Sequence, residues 1–325
     1  MKRLVPMLLS CLLIFTAGCS DSVQPASSPS AASFAVSEEN AGSLPSSAAD
    51  LQSSSAASSG ATASSKAPSS NPPQTKATSS GASSHPAPSG TPTVTVTVPE
   101  GYTLAKIAAK LEANGVCKGA DFIKSAQTYD FSNYSLVNKI PSSSKRAYKL
   151  EGYLYPDTYT LYQNMKPQDA VGKFLRNAQQ RISGKYGFSG MTTDQVVTLA
   201  SIVEKESDDI SDMKLVSSVF HNRLKAGMKL QADSTIAYCT GCLLAPNGPF
   251  SDKFKYYYNT YRCGGLPAGP ICNPGANSLS AAANPTSSDY LYFITKGGKY
   301  YYQKTLEEHE AKLKELGMAS DSSAS

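Results

Sequence analysis

The 325-residue sequence predicts an α+β protein: a small β-α-α-β unit, then a larger mixed α/β domain, preceded by a disordered tether. Three observations predict it. The β-branched stretch Thr93–Val98 alternates with period two, as a strand with one buried face does. Later segments carry apolar residues at helical spacing behind capping residues. Residues 20–91 are dominated by Ser, Ala, Pro and Gly, with Phe34 as the one Phe, Tyr or Trp. Such a composition buries too little apolar surface to offset the entropy of ordering.

Residues 1–18 open with Lys2 and Arg3, continue as an apolar run from Leu4 to Phe15, and end in Thr16-Ala17-Gly18 before Cys19. A basic start, a short apolar run and small residues before a cleavage point describe an export signal. The run is shorter than the roughly 20 apolar residues a membrane-crossing helix needs. The small residues before Cys19 resemble the lipobox of bacterial lipoproteins, with Thr16 where that class usually has Leu. The resemblance implies that Cys19 is lipidated and holds the protein at the extracytoplasmic face of the cell membrane. A plain secretory signal and an uncleaved anchor are the alternatives. Residues 19–92 then form the tether, whose typical end-to-end distance is roughly 45–50 Å.

The folded part starts at Thr93, and its first unit spans residues 93–162. Pro99-Glu100-Gly101 ends the strand. Thr103 caps a helix carrying Ile107, Ala108, Leu111 and Ala113, which stops at Asn114-Gly115. A short helix covers Ala120–Gln127, and Leu150–Leu161, rich in Tyr and Leu, is a strand or extended segment. This layout resembles LysM modules, which bind amino-sugar polymers. The larger domain, residues 163–318, has helices over 166–184, 192–207 and Ser217–Lys225. Gly264–Pro285 is dense in Gly, Pro and Asn and reads as ordered turns. Tyr290–Thr295 and Tyr300–Gln303 form a hairpin across Lys296-Gly297-Gly298-Lys299, and Leu306–Leu316 is a terminal helix. Residues 319–325 are a disordered tail. No 20–50-residue period repeats, which excludes a solenoid.

The formal charge of +5 is mild and contains no basic run interleaved with aromatics, so nucleic acid is not an expected partner. Absence of G-x-S-x-G and H-E-x-x-H leaves Ser–His hydrolase and zinc-protease chemistry unsupported. Without a P-loop or dinucleotide fingerprint, no cofactor is expected, and no catalytic metal. Cys11 lies in the signal and Cys117 stands alone. Cys239, Cys242, Cys263 and Cys272 form a C-x2-C…C-x8-C set, which suits either a structural zinc site or, in an exported chain, two disulfides. Spacing does not choose among the three pairings.

The site candidates are carboxylates. Thr192-x-x-Gln195 is a capping box opening a helix whose Val196, Val197, Leu199, Ala200, Ile202 and Val203 form one broad apolar face. Glu204 and Glu206 lie at opposite edges of that face. A carboxyl beside a desolvated surface has a raised pKa and can act as a general acid. Two positions apart on a helix, the pair points about 200° apart, a poor match for two carboxylates flanking one bond. One of them does the chemistry alone, and this geometry leaves the choice open.

Several ordered motifs resemble those of the YceG-like family of endolytic murein transglycosylases. They are Leu150-Glu151-Gly152-Tyr153-Leu154-Tyr155-Pro156-Asp157-Thr158-Tyr159; Ala200-Ser201-Ile202-Val203-Glu204-Lys205-Glu206; Val219-Phe220-His221-Asn222-Arg223-Leu224 with Gly227-Met228-Lys229-Leu230-Gln231-Ala232-Asp233; Tyr258-Asn259-Thr260-Tyr261; Gly265–Gly275; and Thr305–His309. The likeness covers residues from about 93 to 315. It implies that Glu204, the first Glu of E-K-E, is the catalytic acid/base of a lyase. That lyase cuts peptidoglycan glycan strands between N-acetylmuramic acid and N-acetylglucosamine. The sugar's own C6 hydroxyl is the nucleophile, so no second carboxylate is needed to activate water. Gln231, Asp233, Asn259 and Asn273, with Tyr155 and Glu151, are the candidates for binding sugar. Peptidoglycan synthases are the partners the family implies. The sequence departs from the motifs at Ser234 and Ala268, where Pro is usual, and at Tyr300, where His is frequent. Two rivals are a LysM-like binding module and a water-using hydrolase with Glu206 or Glu151 as second carboxylate.

Overall fold

In a computed structural model of the protein, residues 90–243 and 254–318 are described. The signal, Cys19, nearly all of the tether and the tail lie outside them. The chain order begins with strand β1 (Thr93–Thr97), helices α1 (Leu104–Ala113) and α2 (Gly119–Thr128), a 3₁₀ turn at Val137–Lys139 and strand β2 (Thr158–Tyr162). β1 pairs antiparallel with β2, from Thr93 opposite Tyr162 to Thr97 opposite Thr158. The expected alternation holds: Val96, Tyr159 and Leu161 are buried while the threonines between them face out. Thr103 caps α1 by accepting from Lys106 N at 3.2 Å, and Ile107, Ala108 and Leu111 turn its other side inward.

The second strand is shorter than the stretch from Leu150 suggests. Leu150–Leu154 turns instead, with Gly152 at φ +87°. A Cβ there would lie 2.5 Å from Pro270 Cγ, so only glycine allows this approach. Arg146 ties the turn to the next domain, donating to Asp194 Oδ1 at 2.9 Å and to Glu151 O at 3.3 Å.

The larger part continues with α3 (Pro167–Ile182), α4 (Thr193–Glu206), α5 (Ile210–Lys225), α6 (Asp233–Tyr238) and a π-type turn at Cys239–Leu243. It ends with α7 (Lys255–Tyr258), α8 (Ala276–Ala283), hairpin strands β3 (Tyr292–Lys296) and β4 (Lys299–Gln303), and α9 (Leu306–Glu315). Thr192 and Gln195 form the capping box of α4. α4 is more enclosed than a one-faced helix: Thr198 and Ser201, on its polar side, are also buried. Ser201 Oγ donates to Thr198 O at 2.7 Å and accepts from Ile271 N at 3.0 Å, which satisfies it in the interior.

α5 starts seven residues before the expected Ser217, because Asp209 caps it through Ser211 N at 2.8 Å. α8 lies within the stretch expected as turns. Its Ala and Ser residues give little periodic apolar signal, yet they let it pack closely on α4 and α5. Gly297 and Gly298, at φ +59° and +76°, make the two-residue hairpin turn. One hydrophobic cluster runs from Val96 through α1–α4 to Ala283, so both parts of the chain share a core. Among the described residues no helix is long and apolar enough to cross a membrane.

Candidate active site

Glu204 lies in the last turn of α4, partly exposed, where the helix meets the start of α8. Its Oε2 accepts from Ser278 Oγ at 2.6 Å and from Gly275 N at 3.1 Å. Gly275 is the N-cap of α8, so the carboxyl rests on a helix start, where unpaired N–H groups favour negative charge. Among the described residues Oε1 takes no hydrogen bond. Burial raises the Glu204 pKa, the bonds from Ser278 and Gly275 lower it, Glu100 raises it and Lys205 lowers it; the outcome is a rise. A carboxyl with one oxygen fixed and the other taking no bond among the described residues, and a pKa raised by burial, suits proton donation.

Glu206 points elsewhere, as the 200° relation predicts. It lines a cleft of ≈ 580 Å³ with Gln231, Asp233, Tyr261, Arg223 and Tyr292. Burial, then nearby Asp233, raise its pKa against the lowering contacts of Ser234. Tyr300 donates its hydroxyl to Glu206 O and so holds the end of α4.

The expected sugar-binding residues fall into two groups. Gln231 and Asp233 are exposed in the Glu206 cleft. Gln231 adopts φ +51° and accepts from Arg223 Nη1 at 3.3 Å, and Asp233 Oδ1 accepts from Tyr261 OH at 2.6 Å. Asn259 ends α7 and accepts from Tyr261 N at 2.9 Å, which sets the loop carrying that tyrosine.

The other three lie beneath the surface rather than on it. Asn273 is 0 % exposed, donating to Tyr102 O at 2.9 Å and accepting from Leu154 N at 2.7 Å. Glu151 is 1 % exposed; its Oε1 accepts from Leu104 N at 2.9 Å and Asn273 Nδ2 at 3.1 Å, and its Oε2 from Tyr238 OH at 3.2 Å. Burial pushes its pKa up to about 7 despite these bonds and the Arg146 charge. Tyr155 is 7 % exposed. In place of cleft contacts, Glu151 and Asn273 support the segment that carries Gly275, because their polar atoms are spent on backbone groups and on each other.

Ser278 and Glu100 were missed. Ser278 follows the Asn-Pro-Gly turn by a helical step of three, the one local signal that could have found it. Glu100 has none, since it meets the site only through the tertiary fold.

Among the described residues no three His, Cys, Asp or Glu come together as metal ligands. Cys239, Cys242, Cys263 and Cys272 form no disulfide, and Cys272 Sγ donates to Ser201 O at 3.2 Å. Of the departures, Ala268 donates its N–H to Tyr257 O at 3.0 Å, a bond that proline cannot make.

Fold and site together define an α+β protein with a partly exposed carboxyl acid seated on a helix start. By the match of a family model over residues 77–315, the chain belongs to the YceG-like family. It is 32 % identical over 243 residues to the endolytic murein transglycosylase of Streptococcus pneumoniae D39, covering 68 % of this chain and 44 % of that protein. It is 31 % identical over 244 residues to the endolytic murein transglycosylase of Bacillus subtilis 168, covering 69 % of this chain and 65 % of that protein. The chain thus matches less than two thirds of either relative's length. A crystal structure of a YceG-like protein from Listeria monocytogenes superposes with a TM-score of 0.58 at 35 % identity, covering 67 % of this chain and 75 % of that one.

Proposed function

We propose that this protein is an endolytic lytic transglycosylase of peptidoglycan with Glu204 as its one acid/base. The observation that carries this reading is the Glu204 carboxyl itself: Oε2 is held by Ser278 and Gly275, and among the described residues Oε1 takes no hydrogen bond. The endolytic murein transglycosylase activity for which the Streptococcus and Bacillus relatives are named supports it.

The substrate is the β-1,4 bond between N-acetylmuramic acid and N-acetylglucosamine in nascent strands. Protonated Glu204 gives its proton to the glycosidic oxygen as the bond to C1 breaks. The resulting carboxylate then takes the proton of the muramic C6 hydroxyl as that oxygen bonds to C1. The strand is left with a 1,6-anhydro end, the enzyme regains its proton, and elongation of that strand terminates. No water is consumed, so a second carboxylate to activate one is not required.

The β1-α1-α2-β2 order supports a LysM-like, glycan-holding role for residues 93–162. Cys19 lipidation would hold the enzyme at the extracytoplasmic face of the cell membrane, with the tether giving reach and peptidoglycan synthases as partners. The hydrolase rival takes Glu151 or Glu206 as its second carboxylate, but Glu151 is buried and Glu206 lines another cleft, so neither of these two flanks Glu204. Product analysis tests the reaction: uncrosslinked glycan strands treated with the protein should yield 1,6-anhydro ends by mass spectrometry. Reducing ends would indicate a hydrolase, and uncut strands a binding module.

A further inference from the structure

The turn Pro99-Glu100-Gly101 after β1 lies directly over the acid. Two backbone bonds pin it to the segment before α8: Gly101 N donates to Asn273 O at 2.9 Å, and Asn273 N donates to Tyr102 O at 2.9 Å. Gly101 is at φ +73°, and a Cβ built on it would stand 3.6 Å from Glu204 Cγ and 2.7 Å from Lys205 Nζ. Glu100 is carried against Gly275 so closely that a Cβ on Gly275 would stand 1.9 Å from Glu100 Oε1. Gly275 is the residue whose N–H holds Glu204 Oε2. Two carboxyl groups, one from α4 and one from the turn after β1, thus bracket a single glycine. That glycine has an ordinary φ of −83°, so backbone strain does not demand glycine there; what a side chain would meet is the carboxyl end of exposed Glu100, which would have to move aside.

We propose that Glu100 is the second carboxylate of the active site, a positioning residue whose negative charge keeps Glu204 protonated and strengthens it as a base once ionised. This rests on Glu204 being the acid. Among the described residues, the titratable groups facing Glu204 are these. Glu100 comes from the turn after β1, Lys205 from its own helix, and the Cys272 thiol from the segment before α8. α8 contributes only the Ser278 hydroxyl and the Gly275 N–H. Glu100 is therefore the one carboxylate among them that opposes ionisation, against Lys205, which favours it. The arrangement also joins the first β-α-α-β unit to the chemistry, since the charge partner of the acid is supplied by that unit.

The sign is definite. The reaction needs Glu204 protonated, and a neighbouring negative charge keeps it so to higher pH. Neutralising Glu100 moves the alkaline limb of the rate profile to lower pH.

The test is the pH dependence of cleavage of uncrosslinked glycan strands by the full chain, with melting temperature followed alongside. Glu100→Gln should lower kcat by about threefold on the alkaline limb, leave KM within about twofold, and shift that limb down by about half a pH unit, with Glu100→Asp recovering part of the loss. Gly275→Ala, which displaces the carboxyl, should reproduce the shift in the wild-type chain and add less than about twofold in a Glu100→Ala chain. An unmoved alkaline limb in Glu100→Gln, or a Gly275→Ala effect indifferent to Glu100, overturns the proposal. Should Glu204→Gln cleave normally, the acid assignment itself fails; an inactive Glu204→Gln beside an unshifted Glu100→Gln fails this inference alone.

Discussion

Replacing Glu151 with Gln should flatten the dependence of stability on pH. Glu151 is buried between the start of α1, Asn273 and Tyr238, and burial lifts its pKa from 4.5 to about 7. Below 4.5 the carboxyl is neutral in both folded and unfolded chains and costs nothing. Between 4.5 and about 7 the folded chain retains a proton that the unfolded chain releases, so stability falls as pH rises through this window and levels off above it. At about 1.4 kcal/mol per pH unit, the rise of the folded pKa from 4.5 to about 7 amounts to about 3 kcal/mol lost by pH 8. A glutamine keeps an acceptor for Leu104 N and Asn273 Nδ2 and offers its amide to the Tyr238 oxygen, so the packing survives while the titration disappears. Urea unfolding followed by far-UV circular dichroism from pH 4.5 to 8 measures the effect. The variant should lose most of the decline that the wild type shows. If the two chains decline in parallel, the ionisation of Glu151 is not linked to folding and the reasoning is wrong.

Two further predictions concern the support of the site. Ser278→Ala removes the 2.6 Å bond to Glu204 Oε2, which favours the ionised form, so the alkaline limb of the rate profile should move upward by about half to one pH unit, opposite to Glu100→Gln; a downward or absent shift contradicts it. Gly152→Ala forces a Cβ to within 2.5 Å of Pro270 Cγ at a φ of +87°, and should destabilise the fold by about 2–4 kcal/mol in urea titrations, whereas a change below about 0.5 kcal/mol would show that the turn yields freely.

Elements with strong local signals were legible in the sequence. The Thr/Val alternation placed β1, the Thr103 and Thr192 caps placed α1 and α4, and the two glycines placed the β3–β4 turn within a residue or two. α8 was not legible because its eight residues are mostly Ala and Ser, whose burial is decided by close packing on α4 rather than by periodicity. The early start of α5 was missed because Asp209 caps it within a polar Ser-Asp-Asp stretch that also reads as loop. At the site, helix geometry alone separated Glu204 from Glu206, and the structure sends them to different surroundings. What it could not separate were surface and support. Asn273 and Glu151 sit in motifs beside the acid, yet their polar atoms go mainly to buried backbone, a distinction that depends on contacts 47 to 171 residues away in sequence. Glu100 escaped for the same reason, being carried to the acid by the strand ladder and the Asn273 backbone.

The central claim is that one carboxyl, Glu204, both gives and takes the proton. Glu204→Gln keeps the shape of the side chain and an acceptor for Ser278 and Gly275, and removes only the transferable proton. Incubated as a folded protein with uncrosslinked glycan strands and analysed by mass spectrometry, this variant should lose at least about 10²-fold of the rate of 1,6-anhydro end formation. Anhydro ends formed at the wild-type rate would contradict the account.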